Sequence, residues 1–400
     1  MSLSDLIRPR AVAVPASGSP LVGVYRQPDV VFVGGCGAYL VDDHGGRYLD
    51  FTSGIGVNAL GHNHPAVARA IQRALDAGLV HTSNLFRTRP VAELAQWLVD
   101  HSFADAVFFS NSGTEANEAA IKFARRWARG RHGEARTEIV ALGGGFHGRT
   151  LGSLAITDRP SYQAPFAPLL PDTRIASLDG ESVAGVVDPQ RTAAVFVEPL
   201  QGEGGVHPVP ARVLRALRDA CDRAGALLVF DEVQVGLGRT GRLWAHEWAG
   251  VQPDVMTLAK PLAGGLPMGA TLVTRDVANA LQPGDHGSTF GGGPLVATVA
   301  LAVCREVGAA DFLAGVGERG AVVRARLERI VASGRAVAAR GMGLLWGLDL
   351  GRAADETVAR ARANGLLVCT AGPNVVRLAP PLNIGESELV DGLDLLEESI

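Results

Sequence analysis

Six short runs in the chain are apolar at nearly every position: AVFFS (106–110), EIVAL (138–142), AAVFVEP (193–199), ALLVFDE (226–232), DVMTLAK (254–260) and GATLVT (269–274). A strand covered on both faces has no polar side to show, so these runs predict strands in the middle of a sheet. Between them lie EANEAAIKFARRWARG and PARVLRALRDACDRAG, whose apolar residues recur with the helical period. HPAVARAIQRALDAG reads the same way. Pro65 sits near its start, Val67, Ala70, Ile71, Ala74 and Leu75 share a face, and Gly78 is the stop. Strand and helix alternate from about residue 60 to 275. That order predicts an α/β fold, a mostly parallel sheet between helices, with ligands collecting at the carboxyl ends of the strands.

The two ends of the chain read differently. AYLVDDHGGRYLDF predicts a hairpin turning at residues 43–46. After residue 293 come a long helical stretch, GLLWGLDL, a further helix, GLLVCTA, VVRLAPPL and a last helix. The expected division is an N-terminal segment 1–55, a large domain 56–292 and a C-terminal small α+β domain 293–400, with the first packing on the last. No tandem repeat or low-complexity tract interrupts this plan.

Charge and cysteine usage exclude several functions. Of 400 residues, 37 are basic and 41 acidic, a net charge of −4, which argues against binding nucleic acid through bulk positive charge. Every apolar run is broken too early to span a bilayer, and MSLSDLIRPRAVAVP lacks the long apolar stretch of an export signal. Cys36, Cys221, Cys304 and Cys369 are far apart and form no zinc pattern, which fits a reducing cytoplasm. No membrane or nucleic-acid partner is expected. Lysine occurs only at Lys122 and Lys260, every other basic residue being arginine. Arginine stays protonated and cannot act as an amine nucleophile, so the positions that keep lysine are informative.

Lys260 ends an apolar strand and precedes the Gly-rich PLAGGLP, whereas Lys122 lies mid-helix among arginines, on what reads as an exposed basic face. FFSNSGTEANEAAIKFA runs from strand through a tight turn to helix. Ser112, Gly113 and Thr114 there offer either an anion site at a helix N-terminus or a capping box closed by Glu115. Asp231 and Glu232 end a buried strand. A magnesium-binding strand of a P-loop ATPase would look similar, but Lys122 is followed by Phe and Lys260 by Pro, so no P-loop exists. An acid there can instead neutralise a buried cation such as a protonated ring nitrogen. GGGFHG (143–148) matches a dinucleotide-binding fingerprint literally, but Asp158 falls in a turn; the alternative is a Gly turn presenting Phe146, His147 and Arg149. His62 and His64 have no acidic or cysteine cluster beside them, so no metal is expected, and helix entry accounts for them.

A phosphate cradle, a buried carboxylate and a strand-end lysine together meet the needs of pyridoxal phosphate. With GVNALGHNHP, HTSNLF, FFSNSGTEANEAAIK, FHGRTLG, VEPLQGEGGV, FDEVQVGLGRTG, TLAKPLAGGLPMGA, HGSTFGG and VRLAPPLNI in this order, the chain resembles the class III (ω-amino) aminotransferases of fold type I. Its nearest likeness is to the acetylornithine aminotransferase branch. The resemblance implies that Lys260 carries pyridoxal phosphate covalently and shuttles a proton, and that Asp231 keeps the ring nitrogen protonated. Gln234 bonds the phenolic oxygen and Phe146 and Val233 flank the ring. Ser112, Gly113 and Thr114 bind phosphate, while Thr289 reaches the phosphate in the neighbouring subunit of a homodimer. Arg149 and Ser288 bind the amino acid. Arg377 takes the α-carboxylate of glutamate or 2-oxoglutarate and is covered by Glu203 when a terminal amine reacts.

The implied reaction moves the terminal amine of N2-acetylornithine to 2-oxoglutarate, giving N-acetylglutamate 5-semialdehyde and glutamate. Succinylornithine, a carrier-linked lysine, ornithine or 4-aminobutyrate are the alternative amino donors, and a NAD-dependent dehydrogenase is a remote reading resting on GGGFHG alone. Pro261, Gly293 and Val235 depart from the family's usual Gly, Asn and Thr. Near Gly54 and Ile55 the ornithine δ-aminotransferases carry a tyrosine that this chain lacks, which favours an acylated substrate.

Overall fold

The computed structural model describes residues 21–177, 183 and 185–400. Its largest sheet has seven strands: β4 (Ala106–Ser110), β5 (Glu138–Leu142), β6 (Thr173–Ala176), β7 (Thr192–Val197), β10 (Leu227–Asp231), β11 (Val255–Leu258) and β12 (Gly269–Val273), in the order β4-β12-β11-β10-β7-β5-β6. β11, β10, β7, β5 and β6 pair in parallel. β12 alone runs against its neighbours β11 and β4. The α/β fold with a mostly parallel sheet is therefore the observed one. β5, β7, β10, β11 and β12 are buried at every residue, as their unbroken apolar runs require. β6 was not foreseen. It is only four residues long, and Arg174 breaks its apolar run.

The helices follow their caps. Pro65–Asp76 opens on His64, whose Nδ1 accepts the N–H of Ala66 at 3.3 Å. Its inner face holds Ala70 and Ala74, but Leu75, expected on the same face, is half exposed. Gly113–His132 lies across the large sheet, and Ala211–Ala224 ends at Gly225 in the left-handed conformation that only glycine adopts freely. Pro294–Val307 and Ala310–Ala332 form the long helical stretch beyond residue 293.

Two further sheets are built from the chain ends. β1 (Phe32–Cys36), β2 (Tyr39–Asp42) and β3 (Arg47–Asp50) form an antiparallel meander, and β15 (Leu366–Leu367) joins it in parallel beside β3. β13 (Ala338–Met342), β14 (Leu345–Asp349), β17 (Val375–Leu378) and β16 (Cys369–Thr370) form an antiparallel sheet in that order. GLLVCTA is thus divided between two sheets, with Val368 at the crossing. β8 (Leu200–Gln201) and β9 (His207–Pro208) make a small clip beside β7. Among the described residues no helix is long and apolar enough to cross a membrane.

Phe51 joins the ends. It is fully buried, its carbonyl accepts the N–H of Ala379 at 2.7 Å, and its ring lies against Gly392 of the last helix, Glu386–Ser399. A Cβ on Gly392 would sit 2.2 Å from the Phe51 ring, so this helix needs glycine there. Phe51→Ala should cost about 3–5 kcal/mol of stability, read as a lower urea midpoint. An unchanged midpoint would contradict this packing.

Candidate active site

β10 ends at Asp231 and the neighbouring parallel strand β11 ends two residues before Lys260, so the sheet delivers a carboxylate and an amine to the same edge. Both line a cavity of about 580 Å³ that also gathers Ser112, Gly113, Thr114, Phe146, Arg149, Glu203, Val233 and Gln234. That volume suits a small cofactor with a substrate.

Asp231 is 4% exposed and well satisfied. Its Oδ2 accepts from Asn117 Nδ2 at 2.7 Å and lies 2.8 Å from His147 Nδ1; its Oδ1 accepts the N–H of Val233 at 3.0 Å. Because a carboxylate only accepts, His147 Nδ1 carries the proton. Burial works against charge on His147, but the bond to Asp231 overrides it and raises the ring's pKa. His147 Nε2 is buried and has no partner among the described residues. Thr257 Oγ1 donates to Asn117 Oδ1 at 2.8 Å and so turns the amide nitrogen toward the acid. The adjacent Glu232 points elsewhere: it accepts the N–H groups of Ala245 and His246 at 2.6 and 2.8 Å.

At the start of the Gly113–His132 helix, Ser112 Oγ accepts the N–H of Glu115 at 3.3 Å and Glu115 reaches back to the N–H of Asn111 at 2.6 Å. The cap does not exclude an anion site, since capping consumes neither the Gly113 nor the Thr114 N–H. Gly113 is wedged: a Cβ there would come within 2.5 Å of Val233 Cγ1. The Thr114 hydroxyl accepts the N–H groups of Arg149 and Thr150 at 3.2 Å each. GGGFHG is a Gly turn that brings Phe146, His147 and Arg149 to the cavity. Asp158 closes this turn on the Gly144 N–H at 2.8 Å and does not end a strand, which removes the dinucleotide reading.

Burial pushes the Lys260 ammonium below an ordinary lysine; Glu203 resists this and Arg377 adds to it. Lys122 is exposed and donates to the Asp285 carbonyl at 3.1 Å, away from the cavity. Arg377 is 2% exposed and does not line the cavity; Glu203 does, and its Oε1 lies 2.5 Å from Arg377 Nη1. Arg377 also donates to the Gly202 carbonyl at 3.2 Å and to Gln234 Oε1 at 3.4 Å. Burial alone would raise the Glu203 pKa, but Arg377 and Lys260 hold it below the ordinary carboxylate value. The exposed Arg149 guanidinium stacks 3.5 Å from the Tyr162 ring centre and has no ion-pair partner among the described residues.

Two of the expected residues stand apart. Ser288 and Thr289 line a neighbouring cavity of about 410 Å³ behind Asn111, not the one holding Lys260. The cause is local: Ser288 Oγ accepts from Asn111 Nδ2 at 3.2 Å and from the Gly291 N–H at 3.0 Å, which pins the loop on the outer side of β4. Within one chain Ser288 is thus not on the wall facing Lys260. His62 pairs with Asp50 at 2.9 Å. Asn117 and Glu198 gave no sequence signal, and His147 was seen only as part of the turn.

A pyridoxal phosphate fits this donor set: an amine, a carboxylate for a cationic ring nitrogen, free helix N–H groups for phosphate, and a glycine whose side chain would intrude. The family model for class-III aminotransferases matches residues 24–400, so the chain belongs to that family of pyridoxal-phosphate-dependent transaminases. It is 49% identical to the mitochondrial acetylornithine aminotransferase of Alnus glutinosa, over 95% of this chain and 86% of that one. It is 45% identical to the succinylornithine transaminase of Salmonella paratyphi B, over 94% and 93%. The crystal structure of the ornithine aminotransferase from Toxoplasma gondii superposes with a TM-score of 0.89 at 31% identity, covering 95% of this chain and 92% of that one.

Because its pKa is lowered, Lys260 holds more free amine near neutrality than an ordinary lysine. Coupling of pyridoxal phosphate to the cofactor-free protein should therefore titrate with a midpoint below about 10.4, and Glu203→Ala should move it lower still. A midpoint at or above the ordinary value would contradict the electrostatics.

Proposed function

We propose that this enzyme transfers the terminal amino group of N2-acetylornithine to 2-oxoglutarate, giving N-acetylglutamate 5-semialdehyde and glutamate, a step of arginine biosynthesis. The observation that carries the reading is the Glu203–Arg377 pair, with the acid on the cavity wall and the guanidinium behind it. A terminal amine carries no carboxylate beside the reacting carbon, so it meets a neutralised arginine. Glutamate and 2-oxoglutarate do carry one, and Glu203 must swing aside to let Arg377 take it bidentately. Arg149, exposed and stacked on Tyr162, binds the distal carboxylate of the acylated substrate.

When bound, pyridoxal phosphate supplies an electron-accepting ring that stabilises the charge left as the substrate carbon loses its proton. Lys260 Nζ would bind the cofactor and then hold that proton. Asp231, oriented by Asn117, His147 and the Val233 N–H, would face the ring nitrogen and keep it protonated. Gln234 would bond the phenolic oxygen, Phe146 and Val233 would flank the ring, and Ser112, Gly113 and Thr114 would hold the phosphate.

The same reading makes the protein a homodimer in which Thr289 and Ser288 act across the interface. Support comes from the loop that carries them: Asn84 Nδ2 bonds the Ser288 carbonyl at 2.5 Å, and Val80, Leu85, Phe86 and Phe290 expose apolar side chains around it. The free thiols Cys36, Cys221, Cys304 and Cys369 fit a reducing, cytoplasmic setting. Succinylornithine is the second reading for the amino donor, favoured by the Salmonella relative. The absence of a tyrosine at Gly54 and Ile55 weighs against free ornithine.

A panel of amino donors with 2-oxoglutarate tests this assignment. N2-acetylornithine should give the highest kcat/KM; a higher value for ornithine or 4-aminobutyrate would overturn it. Glu203→Ala should shift the ratio of half-reactions toward glutamate by about tenfold, roughly 1.4 kcal/mol, measured by stopped-flow absorbance. An unchanged ratio would contradict the gate.

A further inference from the structure

Glu198, just beyond β7, is 6% exposed and makes no salt bridge with an arginine or lysine among the described residues. Burial, with Asp231 nearby, pushes its carboxyl up to about 7, although His147 opposes this. Such a group is costly to bury and needs a compensating role. Its two oxygens are used separately. Oε1 accepts the Phe146 N–H at 2.8 Å and Oε2 accepts the Gly202 N–H at 3.1 Å. Each donor belongs to a different part of the site. Phe146 lies in the turn whose next residue, His147, holds Asp231. Gly202 precedes Glu203 and offers its carbonyl to Arg377. Gly202 packs directly against the Gln234 side-chain amide, which leaves no room for a side chain of its own.

A neutral amide would satisfy one of these N–H groups and turn its own NH₂ against the other. A shorter carboxylate would not reach both. Only a glutamate spans two converging backbone donors at this position. We infer that Glu198 is a positioning residue that locks the Phe146 turn to the Gly202–Glu203 loop, so that the cofactor pocket and the Arg377 gate keep one register. This rests on the gate reading given above. Its physical content is that the Glu203 side chain can swing off Arg377 while the backbone beneath it stays fixed. Without the lock, that movement would pass into the wall of the cofactor pocket.

The test uses Glu198→Gln and Glu198→Asp, with Glu203→Ala as the comparison. Each Glu198 variant should raise both the Kd of the cofactor-free protein for pyridoxal phosphate and the KM for 2-oxoglutarate, each by about tenfold. The kcat with the acylated amine should change less. Glu203→Ala, which frees more of the Lys260 amine, should not raise the pyridoxal phosphate Kd. A Glu198→Gln enzyme with either constant unchanged overturns the inference, because a merely structural acid would lower thermal stability without moving the two together. An unchanged half-reaction ratio in Glu203→Ala, with both Glu198 effects present, would remove the gate and leave the lock. Hydrogen exchange in the wild-type holoenzyme gives a readout independent of variant folding. The Phe146 and Gly202 amides should exchange slowly and at matched rates, and independent rates would overturn the lock.

Discussion

A charged carboxylate at the end of an all-apolar strand is the constraint around which this site is arranged. Asp231 sits where water is scarce, so its oxygens must be met by protein groups. Two of those groups come from distant segments, Asn117 from the helix that begins at Gly113 and His147 from the Gly turn, and the third is the N–H of Val233 in the loop that follows. Satisfying the acid therefore fixes the helix N-terminus, the Phe146 turn and the strand-end loop relative to one another. Lys260, two residues beyond the neighbouring strand, then faces a pocket whose walls are already set.

A second charged centre lies beside the first and behaves differently. Arg377 is buried but keeps its charge; burial opposes it, while Cys369 and Glu203 raise its pKa. Breaking such a pair without a substitute would leave a buried cation uncompensated. In the proposed gate a substrate carboxylate would be that substitute. The two substrates would then need no rebuilding of the site, only the exchange of one carboxylate for another at the same guanidinium. Asp231 is held by hydrogen bonds on both oxygens, whereas Glu203 makes one short contact and borders open space, as the proposed gate requires.

Much of this was legible in the residues. The five fully buried strands of the large sheet announce themselves by uninterrupted apolar runs, and Lys260 by the scarcity of lysine. What was hidden depends on contacts between distant segments. His147 and Asp231 are 84 residues apart, and Asn117 and Asp231 are 114 apart, so no local spacing reveals either bond. Glu198 follows a strand and reads as its polar end until both of its backbone donors are seen. β6 escaped because its run is short and interrupted by Arg174, and β1 because Gly34 and Gly35 erase its alternation. The Asn111 bond that holds the Ser288 loop behind β4 joins residues 177 apart and leaves no local trace either.

Catalysis by this site requires that the amine at Lys260 be the one that takes the cofactor. Borohydride reduction of the pyridoxal-phosphate-loaded protein, followed by digestion and mass spectrometry, tests it directly. The account predicts a single reduced adduct on the peptide containing Lys260. An adduct on Lys122, or none on either lysine, would contradict it.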